Sequence, residues 1–183
     1  EITGANSGVL IDSTTSFTRA SGFNGIRVLT GGAGNDTFRF DGGTASLNGT
    51  LDGGTGGNTL EGSNGTDVVV ITGTSAGTID PSAAGVITTT FTNVQSVDAR
   101  SGNDDIQLQD GASLANLSGG AGSGDTLTGS SSGVTFNVTG NDSGNVGGSA
   151  TVTAWDAIEN LTGATGVADA FVLDSNVTLS GNL

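Results

Sequence analysis

The sequence predicts an all-β fold: a right-handed parallel β-helix, or β-solenoid, of about 22 residues per coil and roughly eight coils, with three coils per super-repeat. Three observations predict it: a composition rich in glycine, regularly spaced turns, and apolar residues in phase with those turns. The chain has 34 glycines and one proline in 183 residues, without a Gly-X-Y period. That composition is typical of a turn-rich solenoid. The right hand follows from the general chirality of parallel crossovers.

The clearest turn unit is Gly31–Arg39, which matches the nine-residue pattern G-G-x-G-x-D-x-U-x, where U is a large apolar residue. Its glycines allow a sharp turn, and Asp36 places a carboxylate at the end of that turn. The residues that follow alternate between polar and apolar, as expected for a short strand with one buried face. One such unit cannot bury Phe38 alone, so neighbouring units must stack on it.

The coil length follows from the spacing of the turns, which recur every 20 to 24 residues. We place them at Gly31, Gly53, Ser75, Ala99, Gly119, Asn141 and Gly163. Apolar ladders accompany them. One comprises Ile2, Leu29, Leu51, Ile71, Val97, Leu117, Val138, Leu161 and Leu183; a second comprises Ile26, Leu47, Val69, Val94, Leu114, Phe136, Ile158 and Leu179; a third comprises Phe38, Leu60, Ile106, Leu127 and Phe171. Several short strands per coil are expected of a parallel β-helix.

A longer period lies over the coils. The motif at residues 2–8 recurs at 71–77 and 138–144, with separations of 69 and 67 residues. We therefore predict a single β-solenoid segment over residues 1–183, with super-repeats beginning near 2, 71 and 138, as part of a longer repeat array. In each super-repeat an aromatic residue, Phe23, Phe91 or Trp155, is expected to fill the core. The ladder ends at Ile2 and at Leu183, and the sequence shows no polar cap at either end of the solenoid. We therefore expect end-to-end stacking on other copies or on neighbouring repeats.

The charge distribution limits the classes of partner. The formal net charge is −14, and four arginines are the only basic residues. Such a chain repels phosphate backbones and anionic lipid, so we expect neither nucleic-acid binding nor membrane insertion. No apolar run is long enough for a membrane span. The absence of cysteine excludes disulfides and thiolate metal sites.

The turns also predict a candidate metal site. Aligning them places six polar residues near one another in successive coils: Asp36, Asn58, Asp80, Asp104, Asp125 and Asp169. Stacked carboxylates repel unless a cation, a proton or an amide lies between them. One interpretation is calcium, a hard cation that prefers oxygen ligands, bound at Asp36, Asp104, Asp125 and Asp169. The other is a hydrogen-bonded Asp/Asn ladder in which the side chains cap turn N–H groups. The sequence leaves both interpretations open.

The chain resembles two known families of repeat proteins. Gly31–Phe38 resembles the calcium-binding nonapeptide of repeats-in-toxin proteins. Residues 26–40 and 158–173 resemble the degenerate repeats of very large secreted bacterial β-solenoid surface proteins of the adhesin and haemagglutinin-like type. The second resemblance implies an extracellular or bacterial cell-surface location and a role as a rod, a fibre or a contact surface. Its implied partners are other copies or neighbouring repeats, and cell-surface glycans.

Catalysis and ice binding are disfavoured by the residue types. Lysine, histidine, tyrosine and cysteine are all missing, and Arg100 with Asp104 and Asp105 is the only mixed cluster that a polysaccharide lyase would need. We expect no enzyme, because an arginine that braces a turn is far commoner. An ice-binding face needs a threonine row in every coil, and the row that includes Thr37 is interrupted at Asp105.

Overall fold

The computed structural model describes residues 1–12, 17–42, 45–82, 85 and 88–183, and it describes only the backbone of residues 10–12 and 17–23. In these residues the chain is all-β, without a helix, and forms 19 strands. The strands are β1 (Ile2–Gly4), β2 (Ser7–Asp12), β3 (Phe17–Asn24), β4 (Val28–Thr30), β5 (Thr37–Arg39), β6 (Thr50–Asp52), β7 (Thr59–Glu61), β8 (Val68–Gly73), β9 (Ala76–Asp80), β10 (Thr89–Thr92), β11 (Ser96–Asp98), β12 (Asp105–Leu108), β13 (Ser113–Ser118), β14 (Thr126–Thr128), β15 (Val134–Gly140), β16 (Ser143–Gly148), β17 (Thr151–Asp156), β18 (Asn160–Thr162) and β19 (Ala170–Leu173).

Two eight-stranded sheets contain most of these strands. Sheet 1 has the order β18-β14-β12-β8-β9-β10-β6-β4, and sheet 2 has the order β19-β15-β16-β17-β13-β11-β7-β5. Strands β1, β2 and β3 form a third, smaller sheet, which is joined to the end of β5 by a parallel bridge between Ile2 and Phe40. From β4 onward the chain alternates between sheet 1 and sheet 2. The all-β class and the largely parallel pairing predicted from the sequence are confirmed.

The parallel strands stack in register with one apolar residue at the centre of each. Leu29, Leu51 and Phe91 follow one another through β4, β6 and β10 of sheet 1. Their flanking residues point the other way, because side chains alternate along a strand. The predicted 22-residue spacing separates Asp36 from Asn58, which lie just before the neighbouring strands β5 and β7. The core column therefore repeats with the period of the turns.

The repeated motif at the start of each super-repeat has a different structure from the one predicted. We expected a coil turn at Ser75 and at Asn141, but each motif is an antiparallel hairpin. Ile71 pairs with Gly77 in β8 and β9, and Val138 pairs with Gly144 in β15 and β16. Each hairpin continues into a third strand, which makes antiparallel three-stranded units of β1–β3, β8–β10 and β15–β17. Uniform parallel coils are therefore interrupted once in each super-repeat.

The three-stranded units change the geometry of the repeat. A super-repeat runs from β1 to β7 or from β8 to β14, and it comprises one three-stranded unit and four single strands. The chain thus passes five times from one sheet to the other, an odd number. Consecutive three-stranded units consequently fall on opposite sheets, β8–β10 in sheet 1 and β15–β17 in sheet 2. Successive super-repeats occupy the two sheets in alternation.

The core lies between the two sheets, and most of the predicted ladder positions are in it. Phe91 and Trp155, the predicted aromatic core residues, are 0% and 2% exposed. The side chain of Phe23 lies outside the described residues. The prediction that Ile26 and Leu183 are buried core residues is wrong, since their exposed fractions are 39% and 60%. Both lie at the outer ends of their ladders, where no further strand covers them.

A glycine opposite each core aromatic is required by this packing. Gly77 pairs with Phe91, and Gly144 pairs with Trp155. A Cβ atom on Gly77 would lie 2.7 Å from Phe91 Cζ, and one on Gly144 would lie 3.0 Å from Trp155 Cζ2. Each would lie closer still to a backbone oxygen of the paired strand, that of Val70 for Gly77 and that of Asn137 for Gly144. The glycines therefore leave the space into which the aromatic rings of the three-stranded units pack.

We predict that Gly77→Ala destabilises the fold by about 1–3 kcal/mol, because the added methyl group meets both the backbone oxygen of Val70 on the paired strand and the fully buried Phe91 ring. Urea unfolding followed by circular dichroism measures the change. Gly73→Ala in the same hairpin is the matched control, since no heavy atom lies within 4 Å of its Cβ position. Equal losses in the two variants would show that the aromatic contact is not the cause.

Candidate functional site

A column of polar side chains crosses the strands of each sheet. Its members immediately precede the parallel strands, where the chain leaves a turn. In each case a side-chain oxygen accepts a hydrogen bond from the backbone N–H of the equivalent residue beside the neighbouring strand. The Asp36 N–H donates to Asn58 Oδ1 over 3.0 Å, and the Asp104 N–H donates to Asp125 Oδ1 over 2.7 Å. These contacts are of the kind that the predicted hydrogen-bonded ladder requires, but the residues predicted to form one ladder are divided between the two sheets.

The acidic column lies in sheet 1 and contains Asp67, Asp104, Asp125 and Glu159, which precede β8, β12, β14 and β18. The Asp67 N–H donates to Asp104 Oδ1 over 2.7 Å, and the Asp125 N–H donates to Glu159 Oε2 over 2.9 Å. The three aspartates are at most 1% exposed and Glu159 is 9% exposed. Four carboxyl groups therefore lie side by side within the protein, one on each successive strand.

The amide column lies in sheet 2 and contains Asp36, Asn58 and Gln95, which precede β5, β7 and β11. The Asn58 N–H donates to Gln95 Oε1 over 2.8 Å. Asn58 also donates from Nδ2 to the backbone oxygen of Asn93 over 2.9 Å. Two of the three side chains are neutral amides, so this column has one carboxyl group where the acidic column has four.

The two columns are equivalent positions of consecutive super-repeats. Both contain an aspartate before the fifth strand of one repeat, a residue before its seventh strand, and a residue before the fourth strand of the next repeat. Asp67, before the first strand of its repeat, is an additional member of the acidic column. Because super-repeats alternate between sheets, the two columns lie in different sheets. The equivalent residues are Asp36, Asn58 and Gln95 in the amide column, and Asp104, Asp125 and Glu159 in the acidic column.

One oxygen of several column carboxyl groups has no hydrogen-bond partner. Among the described residues, the buried side-chain oxygens without a partner are Oδ2 of Asp36, Asp104 and Asp125. Asp125 Oδ2 lies 2.9 Å from the Cβ position of Gly119, which also faces the backbone oxygen of Ala157. That carbonyl corresponds to the one that accepts from Asn58 Nδ2. An unpaired oxygen therefore occupies the place that a donor fills in the amide column.

Burial raises the pKa values of the acidic column. The pKa of Asp104 is raised to about 7 and that of Asp67 to about 6, with loss of solvation as the main cause. The neighbouring carboxylates of Asp67, Asp125 and Asp98 raise the pKa of Asp104 further. The pKa of Asp125 is also raised, mainly by burial and additionally by Glu159. Backbone N–H donors oppose these shifts without cancelling them.

The four residues predicted as calcium ligands do not converge on one point. Asp104 and Asp125 are neighbours in the acidic column, whereas Asp36 and Asp169 precede β5 and β19 at opposite edges of sheet 2. Asp169 Oδ1 accepts from the N–H of Val134 over 2.9 Å. Within the described part of the chain, no three acidic residues are placed to hold one metal ion. Calcium binding stays a prediction from the sequence.

Three column residues were missed in the sequence, namely Asp67, Gln95 and Glu159. Each lies one residue before a strand, so the position relative to the strand would have found them. The 22-residue spacing of the turns did not, although Gly65 precedes Asp67 as Gly34 precedes Asp36. Asp80, which we aligned with the other turns, ends β9 instead, where it pairs with Val68 across an antiparallel strand. Its Oδ1 accepts from the N–H of Ser82 over 3.1 Å.

The remaining polar features brace the turns. Arg100, the candidate for a lyase-like cluster, donates from Nη1 to the backbone oxygens of Phe40 and Gly62 over 3.3 and 3.4 Å. Its Nη1 lies 3.9 Å from Asp41 Oδ1.

A depression of about 340 Å³ is lined by residues of β11, β13 and β17. No helix in the described part of the chain is long and apolar enough to cross a membrane.

Comparisons with known proteins add no family to this description. No family model matches the chain, and no curated protein or solved structure is similar to it. The arguments for function therefore rest on the geometry of the two sheets and their columns.

We predict that the protein is more stable at about pH 5 than at about pH 8, because the folded acidic column holds protons that the unfolded chain releases. With folded pKa values raised to about 7 at Asp104 and about 6 at Asp67, this stabilisation is complete below their ordinary pKa and is lost as the pH rises through those values. Asp125→Asn, which provides a donor like Asn58 Nδ2, should raise Tm at pH 8 by roughly 2–4 °C and reduce the pH dependence.

The reverse change in the amide column is the matched test. Asn58→Asp should lower stability, and by more at alkaline than at acidic pH, because the donor to the Asn93 carbonyl is lost and a buried charge is gained. Asp110→Asn is the control, since Asp110 is exposed and hydrogen bonds from Ser132 hold its pKa below the ordinary value. Equal pH profiles for Asp125→Asn and the parent protein would refute the account.

Proposed function

We propose that this chain is a structural extracellular repeat segment, a rod or fibre of a bacterial surface adhesin that mediates cell-surface contact or self-assembly. The observation that supports it is the distribution of exposed apolar residues. Among the described residues, six large hydrophobic side chains are exposed, and five of them lie in or beside the edge strands β4 and β19. The sixth is Leu183, the last residue of the sequence. These residues are Ile26, Val28, Val167, Val172, Leu173 and Leu183.

Such residues at the edges are suited to receive further strands. The interior of the stack is formed by strands that pair on both sides, whereas β4 and β19 each pair on one side only and present unpaired backbone groups at the edges. Exposed edge strands are templates for pairing with another chain. Further repeats or other copies, stacked end to end, would cover Val28 at one edge and Val172 at the other. The contact is heterologous and does not close, so it produces a fibre.

The finer features of the proposal follow from this mode of growth. The stack is a right-handed β-solenoid of about eight coils, with the right hand expected for parallel crossovers. The net charge of −14 keeps the lateral surface soluble and disfavours anionic partners. Neutral cell-surface glycans are the proposed contact of the outer faces, and the location is the exterior of a bacterial cell.

The alternative function is a calcium-binding module similar to repeats-in-toxin proteins. The unpaired Oδ2 atoms of Asp36, Asp104 and Asp125 favour it, because calcium prefers carboxylate and carbonyl oxygens. The Cβ position of Gly31 lies 2.5 Å from Asp36 Oδ2 and 2.6 Å from the backbone oxygen of Gly53, so both oxygens face the same space. Asp36 is the residue of the one complete nonapeptide.

Removal of calcium separates the two interpretations. If the turns bind calcium, a chelator should lower Tm at about pH 8, by an amount that grows with the logarithm of the calcium concentration used before chelation. Asp36→Asn should reduce that response, while Asp110→Asn should leave it unchanged. If the columns are structural, Tm follows pH and is insensitive to the chelator once magnesium is supplied at equal ionic strength.

We predict that the sedimentation coefficient rises with protein concentration and that Val172→Lys abolishes this rise, because a charge on the edge strand β19 prevents pairing. Sedimentation velocity at several concentrations measures it. Thr90→Lys is the control, since Thr90 is exposed on β10, which pairs on both sides. A concentration-independent monomer, or equal effects of the two substitutions, would count against the rod proposal.

A further inference from the structure

The chain contains many copies of the tripeptide Asn-x-Ser/Thr, the acceptor signature for N-linked glycosylation. The signature begins at Asn35, Asn48, Asn64, Asn116, Asn137, Asn141, Asn160 and Asn176. A chain rich in asparagine, serine and threonine acquires such tripeptides from its composition alone. The structure supplies the selection that the sequence lacks, because it shows which of these amides are free.

Five of the eight side-chain amides are held by hydrogen bonds within the stack. Asn137 donates from Nδ2 to Asn145 Oδ1 over 2.8 Å, and Asn116 donates to Ser96 Oγ over 3.1 Å. The other three accept backbone N–H groups through Oδ1 over 2.8 to 3.0 Å. These three are Asn35, Asn141 and Asn160. Transfer of a sugar to Nδ2 would displace the hydrogen bond that Asn116, Asn137 or Asn160 donates from this atom. In Asn35 and Asn141 the contact through Oδ1 fixes the orientation of the amide.

Three amides are exposed and bond to no residue that the structure describes: those of Asn48, Asn64 and Asn176. Asn48 and Asn64 both begin the sequence Asn-Gly-Thr, and the hydroxyl-bearing residues Thr50 and Thr66 are exposed as well. The tripeptide of Asn64 precedes β8 of sheet 1, and the tripeptide of Asn48 ends at Thr50, the first residue of β6 in the same sheet. These two sites combine a free acceptor amide with an accessible hydroxyl two residues later. Asn176 with the exposed Thr178 does so too, but it lies three residues after the edge strand β19, which the proposed end-to-end contact covers.

The turn at Asn64 is held in place by buried residues on both sides of the tripeptide. Ser63 and Asp67, which flank the tripeptide, are both 0% exposed. The Ser63 hydroxyl donates to Asp67 Oδ1 over 2.9 Å, and the Ser63 N–H donates to Asp67 Oδ2 over 2.8 Å. The Gly65 N–H donates to Ser63 Oγ over 3.0 Å. The tripeptide therefore forms the exposed part of an ordered turn whose two ends are buried. A sugar attached to Asn64 would project into solvent and would not disturb the core.

We propose that Asn64, with Asn48 as a second site, is an acceptor for N-linked glycosylation by a separate sugar transferase. The co-substrate is a sugar activated as a glycosyl phosphate or diphosphate ester. In the transfer a bond forms between Asn64 Nδ2 and the anomeric carbon of the sugar, and the bond from that carbon to the phosphate oxygen breaks. The phosphate leaves with the bonding electron pair, and one Nδ2 proton passes to a base of the transferase. No oxidant or reductant is required.

The modification has a physical consequence for the rod. A chain with a net charge of −14 already resists lateral association through repulsion. Neutral sugars at the turns add a steric and hydrated layer that does not depend on ionic strength, whereas charge repulsion is screened by salt. The turn of Asn64 precedes β8, an inner strand of sheet 1, away from the edge strands β4 and β19, whereas Asn48 lies just before β6, which pairs with β4. The inference rests on the proposed surface location, because the chain must meet a transferase of the export route.

The direct test is peptide mass spectrometry of the chain isolated from the surface fraction of the cells that make it. A sugar mass on the peptides of Asn64 and Asn48 is expected, together with unmodified peptides at Asn137 and Asn160. Thr66→Ala, produced in the same cells, should remove the sugar at Asn64 only and leave the circular dichroism melting curve unchanged. Surface-located chain with an unmodified Asn64 would overturn this inference and leave the rod proposal standing.

A purified system tests the role of the fold. The folded chain and the urea-unfolded, diluted chain are each incubated with a transferase specific for Asn-x-Ser/Thr and a nucleoside-diphosphate hexose. We expect modification of Asn64 and Asn48 in both samples, and of Asn160 only in the unfolded sample, because its amide is held in the folded state. Modification of Asn160 in the folded chain to the same extent as Asn64 would refute the structural selection.

Discussion

The hydrogen bond from a backbone N–H to the side-chain oxygen of the equivalent residue beside the next strand determines how this stack is built. At the start of each parallel strand the chain leaves a turn, and its first N–H has no partner in the sheet. A buried N–H without a partner is costly, so a side chain from the adjacent strand must supply an acceptor. The columns of Asp36 and Asp104 meet this need with the same geometry. Each column thereby fixes the register of its strands.

The odd number of sheet passes explains why one sequence motif appears in two structural settings. A super-repeat that crosses five times between the sheets returns its successor to the opposite sheet. The antiparallel unit of β8–β10 and that of β15–β17 thus widen the two sheets equally, and both sheets reach eight strands. The same alternation places the amide column and the acidic column in different sheets. Balanced widening keeps the two layers in contact along the whole stack.

The fold class and much of the core were predictable because they depend on spacing alone. Leu51, Leu60 and Leu117 lie at the centres of strands that recur with the turn period, and all are at most 1% exposed. The antiparallel hairpins were not predictable, since Ile71–Gly77 has the same alternation of residue types as a coil strand, and pairing direction is not encoded in alternation. The columns were half predicted: the turn spacing indicated Asp104 and Asp125, whereas Asp67 follows Gly65 but falls outside that spacing, and Glu159 follows a turn without glycine.

The two columns show how one backbone geometry tolerates different charge. In the amide column, Asn58 satisfies both of its polar ends, because Oδ1 accepts from Asp36 and Nδ2 donates to the Asn93 carbonyl. Asp125 reproduces only the acceptor, and its second oxygen is left buried beside the Ala157 carbonyl. Two oxygens facing each other in a medium of low dielectric require a proton or a cation between them. The acidic column therefore converts a purely structural contact into one whose strength depends on the composition of the solvent, while the amide column holds the neighbouring strands under all conditions.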